Sequence, residues 1–182
     1  MGGMTGDKGK LSEWRYSTAD NGQITLYEYL GNYDATKPVY VPKKGGKTVI
    51  NNYTSGTTTT ASNTPFYNNP SVKNVDLQDV PFVDNSMSYA FSNCRNLTSV
   101  EGINRNVTNM YRTFAYCSSL NQNIQIPSSV ISMVSTFNGC SSLNQNIQIP
   151  SSVTNMYDTF WGCSNLNQNI QIPSSVTDMY YT

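Results

Sequence analysis

The chain contains no histidine. That excludes a Ser–His or Cys–His nucleophile pair, because the base that would take the proton is missing. Charge is scarce as well: 12% of the residues are charged and the formal net charge is zero. No basic stripe is available to neutralise phosphates, so nucleic acid is not an expected partner. No run of about 18 apolar residues occurs, so no membrane insertion is expected. The N-terminus, MGGMTGDKGK, lacks the apolar core of a secretory signal, and Gly6 stands where a myristoylation motif needs Ser or Thr. Such a start fits either a processed or recloned fragment or a chain made in the cytoplasm. Asp and Glu total 11, and the repeats described below retain Glu101, Asp158 and Asp178. Glu101 and Asp158 lie more than two repeats apart, too far for a paired-carboxylate site. The stretch KKGGKT at 43–48 fails as a phosphate loop, because the first glycine of that motif would fall at Val41. The expectation is a chain without enzymatic activity, cofactor or metal site.

What the chain has in quantity is Asn and Ser, 23 and 22 residues, and internal repetition. CSSLNQNIQIPSSV occupies 117–130, returns unchanged at 140–153, and recurs at 163–176 as CSNLNQNIQIPSSV. Met87, Met110, Met133, Met156 and Met179 are spaced by 23 residues. Phe91, Phe114, Phe137 and Phe160 keep this period, as do Cys94, Cys117, Cys140 and Cys163, and Leu97, Leu120, Leu143 and Leu166. A period held this strictly over four copies predicts a solenoid, each unit forming one coil that buries its apolar side chains against the next.

Within a unit, Ile124-Gln125-Ile126 alternates as a strand with one buried face does, and Pro127 ends it. Its copies at 147–149 and 170–172 are expected to stack about 4.8 Å apart as a narrow parallel sheet with an outward Gln ladder. Val130, Met133 and Phe137 fit either a helical turn or a second, bent strand. The four cysteines share one phase. Their Cβ atoms point the same way, which suits a column of buried free thiols better than disulfides or a tetrahedral metal.

The first third differs. Residues 1–12 read as a flexible N-terminus. Residues 13–50 read as a β-strand cap: a hairpin of 14–17 and 23–30 around Asp20-Asn21-Gly22, then strands at 38–42 and 47–50. Residues 51–65, NNYTSGTTTTASNTP, read as a Thr-rich linker or loop. Residues 66–182 form the solenoid, beginning with a degenerate coil at 66–86 whose apolar set is Val72, Val75, Leu77, Val80 and Val83. The fold class is mainly β with short helical turns.

The unit resembles the Treponema-type, or BspA-like, leucine-rich repeat of bacterial surface proteins, at Cys117, Leu120, Ile124, Ile126, Pro127 and Val130. The opening DNGQITLYEYLGNYDATKPVYVP, followed by GGKTVI, is similar to the first coil often seen there. One extra residue sits between Leu120 and Ile124, one is missing between Met133 and Phe137, and Thr replaces the Ala before Phe except at Ala90. VTNMYRTF and LNQNI look more like the related repeats of mycoplasma lipoproteins. The resemblance implies a leucine-rich-repeat solenoid with a β-hairpin cap and a non-enzymatic surface or adhesion module; similar repeats occur in phage tail proteins.

The copies differ between Met and Cys: SYAFSN at 88–93, YRTFAY at 111–116, VSTFNG at 134–139 and YDTFWG at 157–162. The changing positions carry Tyr89, Tyr111, Arg112, Tyr116, Tyr157, Asp158 and Trp161. Either these merely tolerate variation on an outer surface, or they form an aromatic ridge that recognises a host-surface protein or glycan. Three roles follow: a bacterial surface adhesion module, a phage virion protein, or an accessory binding domain of a larger enzyme. The expected location is extracellular, at the bacterial surface or on a virion. Thr182 falls inside a fifth unit, so further repeats or self-association are expected at that end.

Overall fold

The computed structural model describes residues 6–52 and 64–182. Strand β1 (Trp14–Thr18) pairs antiparallel with β2 (Ile24–Tyr29), and β2 pairs in parallel with β4 (Thr48–Ile50). The β1–β2 turn closes through bonds from the Gly22 and Ala19 N–H groups, with Gly22 at φ 84°. A second, all-parallel sheet runs β3 (Val39–Tyr40), β5 (Asn74–Asp76), β6 (Ser99–Glu101). Within the segment expected to be flexible, Asp7 accepts bonds from the Lys43 and Lys44 N–H groups at 3.0 and 3.1 Å. Most of the expected Thr-rich loop lies outside the described residues. At its near edge, Asn52 donates from Nδ2 to the Val83 and Ser86 carbonyls.

The core is one column of side chains. Phe66, Phe91, Phe114, Phe137 and Phe160 stack with ring centroids 5.2–5.7 Å apart and nearly parallel planes. Met87, Met110, Met133, Met156, Leu97, Leu120 and Leu143 are buried beside them. Trp14 from β1 meets Phe66, the first ring of the stack, edge-on at 5.8 Å. In the degenerate coil, Phe82 is buried where Val83 was expected; Val83 opens a 3₁₀ turn and is half-buried.

The expected sheet of Ile-x-Ile strands does not form. Ile124, Ile147 and Ile170 donate their N–H groups within their own coil, to the carbonyls of Gln122, Gln145 and Gln168. Gln125 and Gln148 likewise bond inside their coils, to the Asn123 and Asn146 carbonyls. The cause is the extra residue after the repeat leucine. Leu97 is followed by two residues before the buried Val100, and this segment is β6; Leu120 is followed by three before the buried Ile124. The longer spacing is taken up as a tight turn, and the backbone ladder is lost. Gln122 then ends the β3–β5–β6 sheet with its side chain. Its Oε1 accepts from the Val100 N–H at 2.8 Å and its Nε2 donates to the Val100 carbonyl at 3.1 Å. Between later coils an asparagine ladder replaces the strands: Asn144 N–H to Asn121 Oδ1 at 2.8 Å, and Asn167 N–H to Asn144 Oδ1 at 3.0 Å.

The Met-x-x-x-Phe segment is neither helix nor regular strand, and among the described residues no α-helix occurs. It is a succession of tight turns that carries the bonds between coils. Alternate N–H groups cross to the next coil: Met110 to Ser132, Arg112 to Val134, Phe114 to Thr136 and Tyr116 to Asn138. The N–H groups between them close turns within the coil, such as Thr113 to Met110 and Cys117 to Phe114. Thr before Phe has a clear use. Thr113, Thr136 and Thr159 are fully buried, and each Oγ1 donates to the methionine carbonyl of the preceding coil at 2.8–2.9 Å. An alanine there would leave that carbonyl with fewer partners in a site without water.

The four cysteines are free. Each donates to a phenylalanine carbonyl one coil earlier, as from Cys117 to Phe91 at 3.1 Å and from Cys140 to Phe114 at 3.0 Å. Burial pushes the Cys94 thiol up to about 12 and holds Cys117 and Cys140 well above the ordinary thiol range. The thiolate is the reactive form. In the native protein these three thiols should react with an aromatic disulfide reagent more than about a thousandfold slower than in denaturant. Rapid native labelling of two or more thiols would contradict a closed column.

Candidate functional site

Beside Met, Phe and the Thr or Ala before Phe, the turn segment of each repeat has four further phases, some of whose members are buried. The first carries Ser88, Tyr111, Val134, Tyr157 and Tyr180, and the second Tyr89, Arg112, Ser135, Asp158 and Tyr181. The third carries Ser92, Ala115, Asn138 and Trp161, and the fourth Asn93, Tyr116, Gly139 and Gly162. The second and fourth phases are left-handed in every copy, with φ between 51° and 75°. The turns demand it: each such residue is third in a tight turn, and Tyr89, Asn93, Arg112, Tyr116, Ser135, Gly139 and Asp158 still donate their N–H groups to the neighbouring coil. Glycine adopts this conformation freely, and Asn and Asp tolerate it. Tyr89, Arg112, Tyr116, Ser135 and Tyr181 hold it at a cost of about 1–2 kcal/mol each.

The seven residues singled out in the sequence fall into two clusters. Tyr89 meets Tyr111 edge-on at 5.4 Å, and the Arg112 guanidinium lies 6.0 and 5.7 Å from their ring centroids. Tyr116 lies over bare backbone, since a Cβ on Gly139 would come within 2.6 Å of its ring. Tyr157 and Trp161 belong to the second cluster, with Tyr180 and Tyr181; Trp161 and Tyr181 are 5.3 Å apart and both exposed. Asp158 sits on the same coil between Tyr157 and Trp161. The two clusters do not touch. The intervening coil presents Val134, Ser135, Asn138 and Gly139, of which Ser135 and Asn138 are buried.

Sequence reasoning missed Tyr67, which meets Tyr89 edge-on at 6.0 Å. It stands 22 residues before Tyr89, one short of the period, in a degenerate coil that does not keep the repeat spacing. It also missed Asn93 and Arg95, which border one hollow with Tyr67, Tyr89, Arg112 and Tyr116, and it missed Tyr180 and Tyr181. The last two extend the phases of Tyr157 and Asp158 and were readable from the period alone. Among the described residues no group of three or more His, Cys, Asp or Glu could hold a metal, and no helix is long and apolar enough to cross a membrane. What the clusters offer is aromatic faces for stacking and guanidinium groups for polar contacts.

This fold is that of leucine-rich-repeat proteins. The chain superposes on a leucine-rich repeat protein of T. pallidum with a TM-score of 0.56 at 19% identity, over 93% of this chain and 84% of that one. A leucine-rich-repeat protein of Bacteroides ovatus gives 0.50 at 16% identity, over 90% of this chain and 53% of that one. A leucine-rich cell surface protein of Faecalibacterium prausnitzii gives 0.49 at 24% identity, over 84% and 36%. Residues 85–182, more than half of the chain, match the family described as "Mycoplasma protein of unknown function, DUF285", and the chain belongs to that family. Both resemblances read from the repeats, Treponema-type and mycoplasma, are therefore present together. No curated protein matches the sequence.

Proposed function

We propose that the chain is a non-enzymatic binding module of a bacterial surface protein, and that its aromatic clusters recognise a glycan or a protein. In this reading each 23-residue unit is one coil of the solenoid, and the β1–β2 hairpin is its N-terminal cap. The observation that carries the proposal is the left-handed backbone under bulky side chains. At the phase where Gly139 and Gly162 stand without strain, Tyr116 stands instead; at the phase where Ser135 and Asp158 stand, Tyr89 and Arg112 do. Three strained residues brought together on one surface, each with the side-chain type favoured at binding hot spots, fit a surface kept for contact rather than stability.

The test is the triple substitution Tyr111→Ala, Tyr157→Ala and Trp161→Ala, assayed for adhesion to host cells that bind the unmodified protein. Adhesion should fall at least tenfold, since aromatic anchors of this kind contribute about 2 kcal/mol or more each. The thermal midpoint should move by only a few degrees, because Trp161 is exposed and the two tyrosines are half-buried. Undiminished adhesion by a folded triple variant removes the aromatic surface as the recognition face.

A further inference from the structure

We propose that the hollow bordered by Tyr67, Tyr89, Arg95, Arg112 and Tyr116 takes a saccharide that carries a carboxylate, such as a uronic or sialic acid residue. This deepens the binding reading above and rests on it.

The hollow holds about 340 Å³, room for one sugar ring with its substituents. Its border joins three tyrosine rings to two arginines, with Ser92 and Asn93 at its edge. Charge sets it apart from other hollows on the molecule. One near the N-terminus gathers Lys8, Lys10 and Lys37 but also Glu13 and Asp34. Another sets Lys43 beside Asp79. Around Arg95 and Arg112 there is no carboxylate, and among the described residues neither forms an ion pair. The remaining stretches, MGGMT and YTSGTTTTASN, contain no Asp or Glu that could supply one.

The two arginines are held differently. Arg95 is exposed, with its Nε donating to Asn93 Oδ1 at 3.0 Å. Asn93 in turn bonds Asn68 across the coil boundary. Arg112 lies against the Tyr89 and Tyr111 rings, and its Nε is buried without a hydrogen-bond partner. A guanidinium fixed between rings, at a backbone angle that only a few residue types tolerate, is preorganised for a planar anion. Tyrosine rings stack on the apolar face of a pyranose, and serine hydroxyls and asparagine amides match its hydroxyls. A neutral sugar would leave the two cations without a counter-charge. An acidic peptide would satisfy them but has no use for three ring faces.

The experiment is calorimetric titration of the whole chain with two pairs of probes. These are 3′-sialyllactose against lactose, and tri-galacturonic acid against its methyl ester; they separate the two sources of a carboxylated sugar. At least one acid should bind tenfold or more tightly than its neutral counterpart, as expected for one charge-assisted contact, and should weaken as salt is raised. Arg112→Gln should remove that preference, and Arg95→Gln should reduce it severalfold. Lys37→Gln, which removes an exposed cation from the hollow near the N-terminus, should leave it unchanged.

Four results would overturn the proposal: equal binding within both pairs, an acid preference that survives both arginine substitutions, no binding of either acid, or tighter binding of an Asp/Glu hexapeptide than of both acids. Neutral binding that is lost in the Tyr111, Tyr157, Trp161 triple variant would end the acidic inference and leave the aromatic surface standing. Adhesion undiminished in the triple variant would instead end the broader reading.

Discussion

Phe137→Ala should lower the unfolding free energy by about 3–5 kcal/mol, among the largest losses expected from a single truncation in the repeats. Phe137 is fully buried and stacks on Phe114 and Phe160 with both centroids 5.6 Å away. Its removal takes the whole ring out of water-free packing and leaves a gap that the turns cannot fill. Their backbone is pinned on either side, by Phe137 N–H to the Thr159 carbonyl and Phe114 N–H to the Thr136 carbonyl. A domain is typically stable by about 5–15 kcal/mol, so this one change removes a large part of the margin. Phe137→Leu keeps most of the volume and should cost about 1–2 kcal/mol. Denaturant titration followed by tryptophan fluorescence checks both, because Trp14 and Trp161 lie toward opposite ends of the column. Coils interact only with their neighbours, so a weakened middle coil should also separate the two signals into distinct transitions. A loss under about 1 kcal/mol with coincident signals would mean that the ring stack is not what holds the coils together.

The phenylalanine column shows how much of the fold the sequence carried. A period repeated to the residue, with one apolar type per phase, is enough to place Phe, Met, Leu and Cys in the core and to stack like on like. The outer wall was harder. Ile-Gln-Ile has a strand's alternation, but alternation says nothing of whether a partner backbone is within reach. The additional residue between Leu120 and Ile124 decides that, and the amides of Asn121, Gln122 and Asn144 take over the bonds. The turn segment misled for a related reason. Tyr and Arg give no sign of a left-handed backbone, so Tyr89, Arg112 and Tyr116 read only as variable outer positions, either tolerated or recognising a ligand, with no hint of their backbone. Gly139 and Gly162 did carry the sign. Reading each phase down the copies, rather than each copy along its length, exposes the positions where glycine alternates with a bulky side chain.

Gly102→Ala should cost about 2–4 kcal/mol, well above the figure for glycine at an equally left-handed position in the repeats. Gly102 follows β6 at φ 70°, and Gly162 in the turn segment has φ 75°, so the backbone penalty of adding a Cβ is the same at both. What differs is the space. At Gly162 the nearest atom is the Gly139 Cα at 3.4 Å, an ordinary contact. At Gly102 the new Cβ would lie 2.8 Å from the Gln78 backbone nitrogen and 2.9 Å from Asp76 Oδ1. Neither can retreat cheaply. The Gln78 N–H donates to that same Asp76 oxygen at 2.9 Å, and the Asp79 N–H donates to the Gly102 carbonyl at 2.9 Å. The Asp79 carbonyl in turn accepts from Asn104 Nδ2 at 2.8 Å. A methyl group here presses on a closed set of bonds that joins β5 to β6, next to where Gln122 ends the sheet. Gly162→Ala, free of that pressure, should cost only about 1–2 kcal/mol. Thermal or denaturant unfolding of the two variants side by side separates the terms. Equal losses would show that the backbone angle alone fixes glycine at both sites, and that the junction of β5 and β6 has more room than its bonds imply.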